Sequence, residues 1–127
     1  MSDPSVIHDD EIILRHIPGG TTWQAPGPRI TSKNFELRAG ETGISVSRSG
    51  ITSPDQLMAR LGDPTKGSRI AAGAVAEVRD LGLEVVPDPK DYDLGHAEIR
   101  SATASLGDQA VRRQLAKLFQ ILPVTGS

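Results

Sequence analysis

At 127 residues the chain has the length of one domain, large enough to bury a single core and too small to divide sensibly into two. Hydrophobic residues make up 37% and aromatic residues 3%, so the core has to be built from Ile, Val, Leu and Ala, with several elements sharing the burial. A formal charge of −2 and a pI near 5.9 exclude a global basic field for coating nucleic acid, and the absence of cysteine excludes disulfides, thiolate metal sites and a cysteine nucleophile.

The polar start MSDPSVIHDD is expected to be a flexible lead over residues 1–10. It has neither a basic n-region nor a long apolar run, and no apolar stretch reaches the roughly 18 residues that span a bilayer. Together with the lack of cysteine, this predicts a cytoplasmic protein. EIILRHI, residues 11–17, reads as a strand with apolar groups on both sides: Ile12 and Leu14 on one, Ile13 and Ile17 on the other. Arg15 shares the second face. PGGTTWQAPGPR follows as a loop that Trp23 would pin down.

RITSKNF, residues 29–35, cannot be one flat strand, because Ile30 and the pair Phe35 and Leu37 differ in parity. A polar turn within Thr31–Asn34, anchored by a buried Phe35, resolves the conflict. ISVSRSG reads as an alternating strand, with Ile44 and Val46 inward. Ser53, Pro54 and Gln56 form a helix start with a capping box, Leu57, Met58 and Leu61 its apolar stripe, and Gly62 its stop.

Residues 69–72 could open a helix or form a short strand; the preferred reading is strand, then a helix through Val75, Val78 and Leu81, then the strand LEVV. HAEIRS is the last strand, with Ala97 and Ile99 on one face and His96, Glu98 and Arg100 on the other. From Ser105, with Asp108 as a capping carboxylate, an apolar stripe running to Leu122 predicts a docked amphipathic helix ended by Pro123. The predicted core comprises Ile12, Leu14, Phe35, Leu37, Ile44, Val46, Val75, Val78, Val85, Ile99, Leu115, Leu118 and Phe119.

These elements predict one α+β domain over residues 11–122, with a frayed end over 123–127. A mixed, largely antiparallel sheet would carry about three helices, the C-terminal one docked on it.

Candidate chemistry is sparse. His8 beside Asp9 and Asp10 loosely resembles a ligand set, but a solvated terminus cannot hold ligands in fixed geometry, so no metal and no cofactor are expected. GDPTKGS has the residue types of a phosphate loop without its spacing. Ser32, His96 and Asp93 make a triad only on paper, with no nucleophile elbow or oxyanion hole to support it. Arg112, Arg113 and Lys117 on the last helix could face phosphates, although no aromatic side chain is interleaved to stack on bases, and a solvated face is the better reading. Arg15 is more informative: a guanidinium entering a core needs an anionic partner. Within the chain, Glu98 is the candidate, set against a wet head group on an apolar stem.

LRHIP (14–18), TSKNF (31–35), ISV (44–46), PDP (87–89) and HA (96–97) together resemble a family of short, uncharacterised bacterial proteins. The resemblance implies a recurring set of Arg15, Ser32, Phe35, Ser45 and His96. This chain departs from the pattern in placing no aromatic residue between Leu14 and Arg15. An Arg on the first strand followed by Ser-x-x-Phe is also similar, at the level of fold, to ADP-ribosyltransferase-like domains. That likeness implies an Arg or His gripping a dinucleotide, a Ser supporting its nicotinamide ribose and Glu98 as the acid.

Since no catalytic constellation stands out, the first expectation is a non-enzymatic bacterial accessory protein. It would bind another protein encoded nearby, in a conflict or mobile-element locus. The alternative is a nucleotide- or NAD-like-ligand-binding domain, or a small ADP-ribosyltransferase-like enzyme, using Arg15, Ser32, His96 and Glu98.

Overall fold

The computed structural model describes residues 5–18, 30–62 and 67–123, and among them six antiparallel strands form one sheet in the order fourth, fifth, second, first, third, sixth along the chain. In chain order the elements are β1 (Ile12–Ile17), a 3-10 turn (Ser32–Phe35), β2 (Ile44–Arg48), α1 (Pro54–Leu61), β3 (Arg69–Ala74), α2 (Val75–Asp80), β4 (Leu83–Pro87), β5 (His96–Ser101), α3 (Gln109–Leu118) and β6 (Gln120–Ile121). The expected α+β class holds, with every strand pair antiparallel. The expected Pro/Gly loop with Trp23, most of GDPTKGS and residues 124–127 lie outside the described residues.

Strand parity decides what each face carries. One face presents Ile13 and Ile17, Ile44 and Val46, Ala71, Leu83 and Val85, and Ala97 and Ile99 to the main core, which Val75 and Val78 of α2, Leu115 of α3 and Phe35 of the 3-10 turn complete. The opposite face carries a smaller cluster of Leu14, Ile70 and Leu57, by which α1 docks. Ile12, expected in the core, is 40% exposed. Its neighbour Ile13 holds the position instead, because Ile12 lies on the thinly covered face.

The start of α1 forms as its sequence indicates. Ser53 Oγ accepts from the Gln56 N–H, Gln56 Oε1 accepts from the Ser53 N–H, and Pro54 occupies the first turn. The strand, helix, strand order over residues 69–87 is also present. Gly82, at φ +90°, ends α2 with its N–H on the Arg79 carbonyl.

Two ends differ from expectation. Asp108 rather than Ser105 caps α3, accepting from the Ala110 N–H, while Ser105 Oγ takes the Gly107 N–H in a preceding turn. At the other end α3 stops at Leu118, and Gln120–Ile121 pairs with Ala71 and Ala72 as β6. The exposed backbone edge of β3 supplies partners that a longer helix would leave open. Phe119, turned out of the helix by this change, lies over Gly73. A Cβ there would stand 3.0 Å from its ring.

The N-terminal lead is anchored where it is described. Ile7 is buried, its carbonyl accepts from Arg79, Asp9 pairs with Arg79, and the Val6 carbonyl accepts from Arg48. These contacts tie Val6, Ile7 and Asp9, within the stretch expected to be a lead, to Arg48 and Arg79.

Candidate functional site

The site arises from a break in the sheet. β1 and β2 pair at Ile13↔Arg48 and Leu14↔Ser47 and have no further registered pair. Beyond Leu14 the side chain of Arg15 stands in for the ladder: its Nη1 donates to the Ser45 carbonyl of β2 at 2.7 Å, and its Nε and Nη2 donate to the Asn34 carbonyl at 3.2 and 2.9 Å. The parted ends open a cleft of about 600 Å³.

The 3-10 turn fixes one wall. Thr31 Oγ1 accepts from the Lys33 N–H and Asn34 Oδ1 accepts from the Thr31 N–H, closing a capping box around the turn. Phe35 is fully buried, with its ring centroid 5.1 Å from that of Phe119 and 6.0 Å from the Arg15 guanidinium carbon. The polar cluster before Phe35 is thus the register-resetting turn, and its backbone holds Arg15 in place.

Electrostatics make the cleft cationic. Arg15, Lys33, Arg38 and Arg60 line it against Glu36 and Glu41, and Glu41 is engaged, its Oε1 accepting the Arg38 N–H. Burial pushes the Arg15 guanidinium down to about 10, with the Glu41 charge opposing the shift and Arg38 adding to it. Arg15 therefore stays charged at neutral pH. Among the described residues no carboxylate lies within 4.0 Å of it, and its hydrogen bonds go to carbonyls.

The far wall comes from α1 and β5. Arg60 places its guanidinium carbon 4.9 Å from the Tyr92 ring centroid and its Nη2 3.3 Å from Asp93 Oδ2. Asp93 also accepts from Ser47 Oγ and Thr52 Oγ1, each at 2.5 Å, and from the Gly95 N–H at 3.0 Å. Burial opposes ionisation of this carboxyl, yet those three donors and the Arg60 charge together hold it below the ordinary carboxylate range.

His96, buried on β5 opposite Ser47, faces Asp88 through its ring Nδ1, which lies 2.9 Å from the Asp88 carbonyl and 3.3 Å from Asp88 Oδ2. His16 also lines the cleft. Its Nε2 is buried without a hydrogen-bond partner among the described residues, and burial followed by the Arg15 and Arg60 charges lowers its pKa, keeping the ring neutral.

Of the residues singled out from sequence, Arg15 and His96 meet in this cleft although they belong to opposite sheet faces. The parted strands give Arg15 access from its own side. Ser32 is half-buried in the 3-10 turn and does not line the cleft, and neither does Glu98. The expected Arg15–Glu98 pair is absent: Glu98 faces Ser45 across the ladder and is bound by Arg100 at 2.9 Å. In the paper triad, the carboxyl at the His96 ring is that of Asp88, since Asp93 is turned to Ser47 and Thr52. On α3, Arg112 donates to the Leu106 carbonyl, leaving Arg113 and Lys117 as the exposed basic residues of the expected phosphate-facing patch.

Sequence reasoning missed Lys33, Arg38, Glu41, Arg60 and Asp88 as site residues. Asp88 had a usable signal in the acid-rich PDPKDYD immediately before His96. The others are ordinary surface residues until the cleft assembles them. Among the described residues no cluster of His, Asp and Glu is disposed to hold a metal ion, and no helix is long and apolar enough to cross a membrane. Comparison with protein-family models, curated proteins and solved structures found no match to this chain.

Proposed function

We propose that the chain binds a small phosphorylated compound, of the nucleotide or NAD-like class, in the cleft between β1 and β2. The observation that carries this reading is Arg15, a half-buried cation whose hydrogen bonds among the described residues go to the carbonyls of Asn34 and Ser45, and which lines a cleft with Lys33, Arg38 and Arg60. A buried guanidinium in contact with a phosphate gains the charge partner that the described residues do not supply, and its planar fork suits phosphate oxygens. The volume falls within the range of small-molecule sites, roughly 300–1,000 Å³.

The test is calorimetry with ADP, NAD and ADP-ribose. Arg38→Ala, an exposed position, is expected to weaken binding about tenfold with the melting temperature unchanged. Arg15→Lys, which keeps the charge and loses the fork, is expected to weaken it about 10- to 100-fold, as hydrogen bonds to charged groups contribute roughly 1.5–3 kcal/mol. A wild-type protein that binds none of the three, or variants that bind as wild type does, would remove the reading.

A second reading, binding of a partner protein encoded nearby, is favoured by exposed apolar side chains around the Lys90–Asp93 hairpin. Ile51, Tyr92 and Leu94 are 43%, 61% and 69% exposed, and Ile51 adjoins Gly95 of the same hairpin. Tyr92→Asp with Leu94→Asp is expected to abolish co-elution of a partner from host extract, with retention there counting against this surface.

A further inference from the structure

We infer that His96 is a general base and that the cleft hydrolyses a phosphoanhydride. This rests on the cleft reading above and goes beyond it to a reaction. Three observations point the same way. The His96 Nδ1 faces the Asp88 carbonyl at 2.9 Å and Asp88 Oδ2 at 3.3 Å, two acceptors that fix Nδ1 as the N–H and leave Nε2 as the basic nitrogen. The ring belongs to the lining of the same cleft as Arg15 and Arg60. Its strand is held rigidly there, because Asp93 binds Ser47, which lies directly opposite His96 in the ladder, and also Thr52 and the Gly95 N–H. A base whose orientation is set by a second carboxyl, beside cations that face developing phosphate charge, is the arrangement that acid–base catalysis of phosphoryl transfer requires.

The charge pattern selects the substrate class. Arg15 and Arg60 stand on different walls, on β1 and α1, and a pyrophosphate offers a negative group to each. The departing group of a phosphoanhydride is itself a phosphate, which leaves as an anion and needs no proton from a second side chain. In the step, a water oxygen forms a bond to one phosphorus while the bridging P–O bond to the other phosphate breaks. The bridging electron pair leaves with that phosphate. The proton of the attacking water passes to His96 Nε2 and then to solvent. Asp88 acts through His96 as a positioning residue, and Lys90, 3.3 Å from Asp88 Oδ2, steadies it from the hairpin.

The experiment uses the full chain and ADP-ribose, with phosphorus NMR following conversion of the pyrophosphate signals to those of AMP and ribose 5-phosphate, and calorimetry run in parallel. The wild type is expected to convert the substrate. His96→Asn keeps an amide donor for the Asp88 carbonyl and removes the base, so turnover is expected to fall about 100-fold or more while affinity stays within about threefold. Asp88→Asn is expected to lower kcat about tenfold or more with KM nearly unchanged, a split that a purely structural role would not produce. ADP-ribose that binds and remains intact, or His96→Asn at the wild-type rate, would overturn the hydrolytic role and leave the binding cleft standing. Failure of ADP-ribose to bind would overturn the hydrolytic role, and failure of ADP and NAD to bind as well would overturn both.

Discussion

Phe35→Ala is expected to destabilise the protein by about 3–5 kcal/mol, the range for emptying a buried aromatic position, as read by denaturant unfolding. The ring has no exposed surface, packs on Phe119 and joins the main core from the 3-10 turn. Its loss would act on the site as well, because the neighbouring Asn34 carbonyl takes two of the Arg15 hydrogen bonds. A Phe35→Leu variant, which retains most of the volume, should recover much of the stability. If Phe35→Ala unfolded at the wild-type denaturant midpoint, the turn would not be docked as described.

Asp93→Ala is the second large effect, about 3 kcal/mol. Ser47 and Thr52 are both buried and both donate to this carboxylate, and each buried donor left without a partner costs roughly 1–3 kcal/mol. The same residue sets a pH dependence. The folded-state pKa of Asp93 is lowered despite the opposing burial, and that of Glu11 is lowered by its Arg48 hydrogen bond foremost. A depressed carboxyl contributes stability that is fully present above its unfolded pKa, about 4, and is lost as pH falls through the folded value. The melting temperature of the wild type should therefore fall on acidification below about pH 4, and Asp93→Ala should show a shallower decline. An equal decline in both would mean that Asp93 carries none of the acid sensitivity.

How much of the site was legible in sequence follows from the reach of local patterns. Arg15 stood out because a charge shares a strand face with Ile13 and Ile17, and His96 because the HA pair belongs to the recurring set that the resemblance implies. Ser32 belonged to the same set yet does not line the cleft, since a 3-10 turn distributes its side chains by a period that strand parity does not anticipate. Glu98 was matched to Arg15 on charge alone, and a neighbour two residues along its own strand, Arg100, holds it instead.

The helix start at Ser53, the stop at Gly82, the turn before Phe35 and the alternation in β2 and β5 were determined by the chain itself. Each depends on side chains bonding to, or being excluded by, backbone within about four residues. The cleft, the sixth strand and the charge on Arg15, with no carboxylate in contact among the described residues, were decided only by tertiary structure. β1 and β2 part after two registered pairs, the open edge of β3 draws residues 120–121 out of a helical pattern, and Arg38 and Arg60 line one cavity from different segments of the chain. All three are relations between segments distant in sequence, where hydrogen-bond satisfaction and desolvation are settled by what the fold brings alongside.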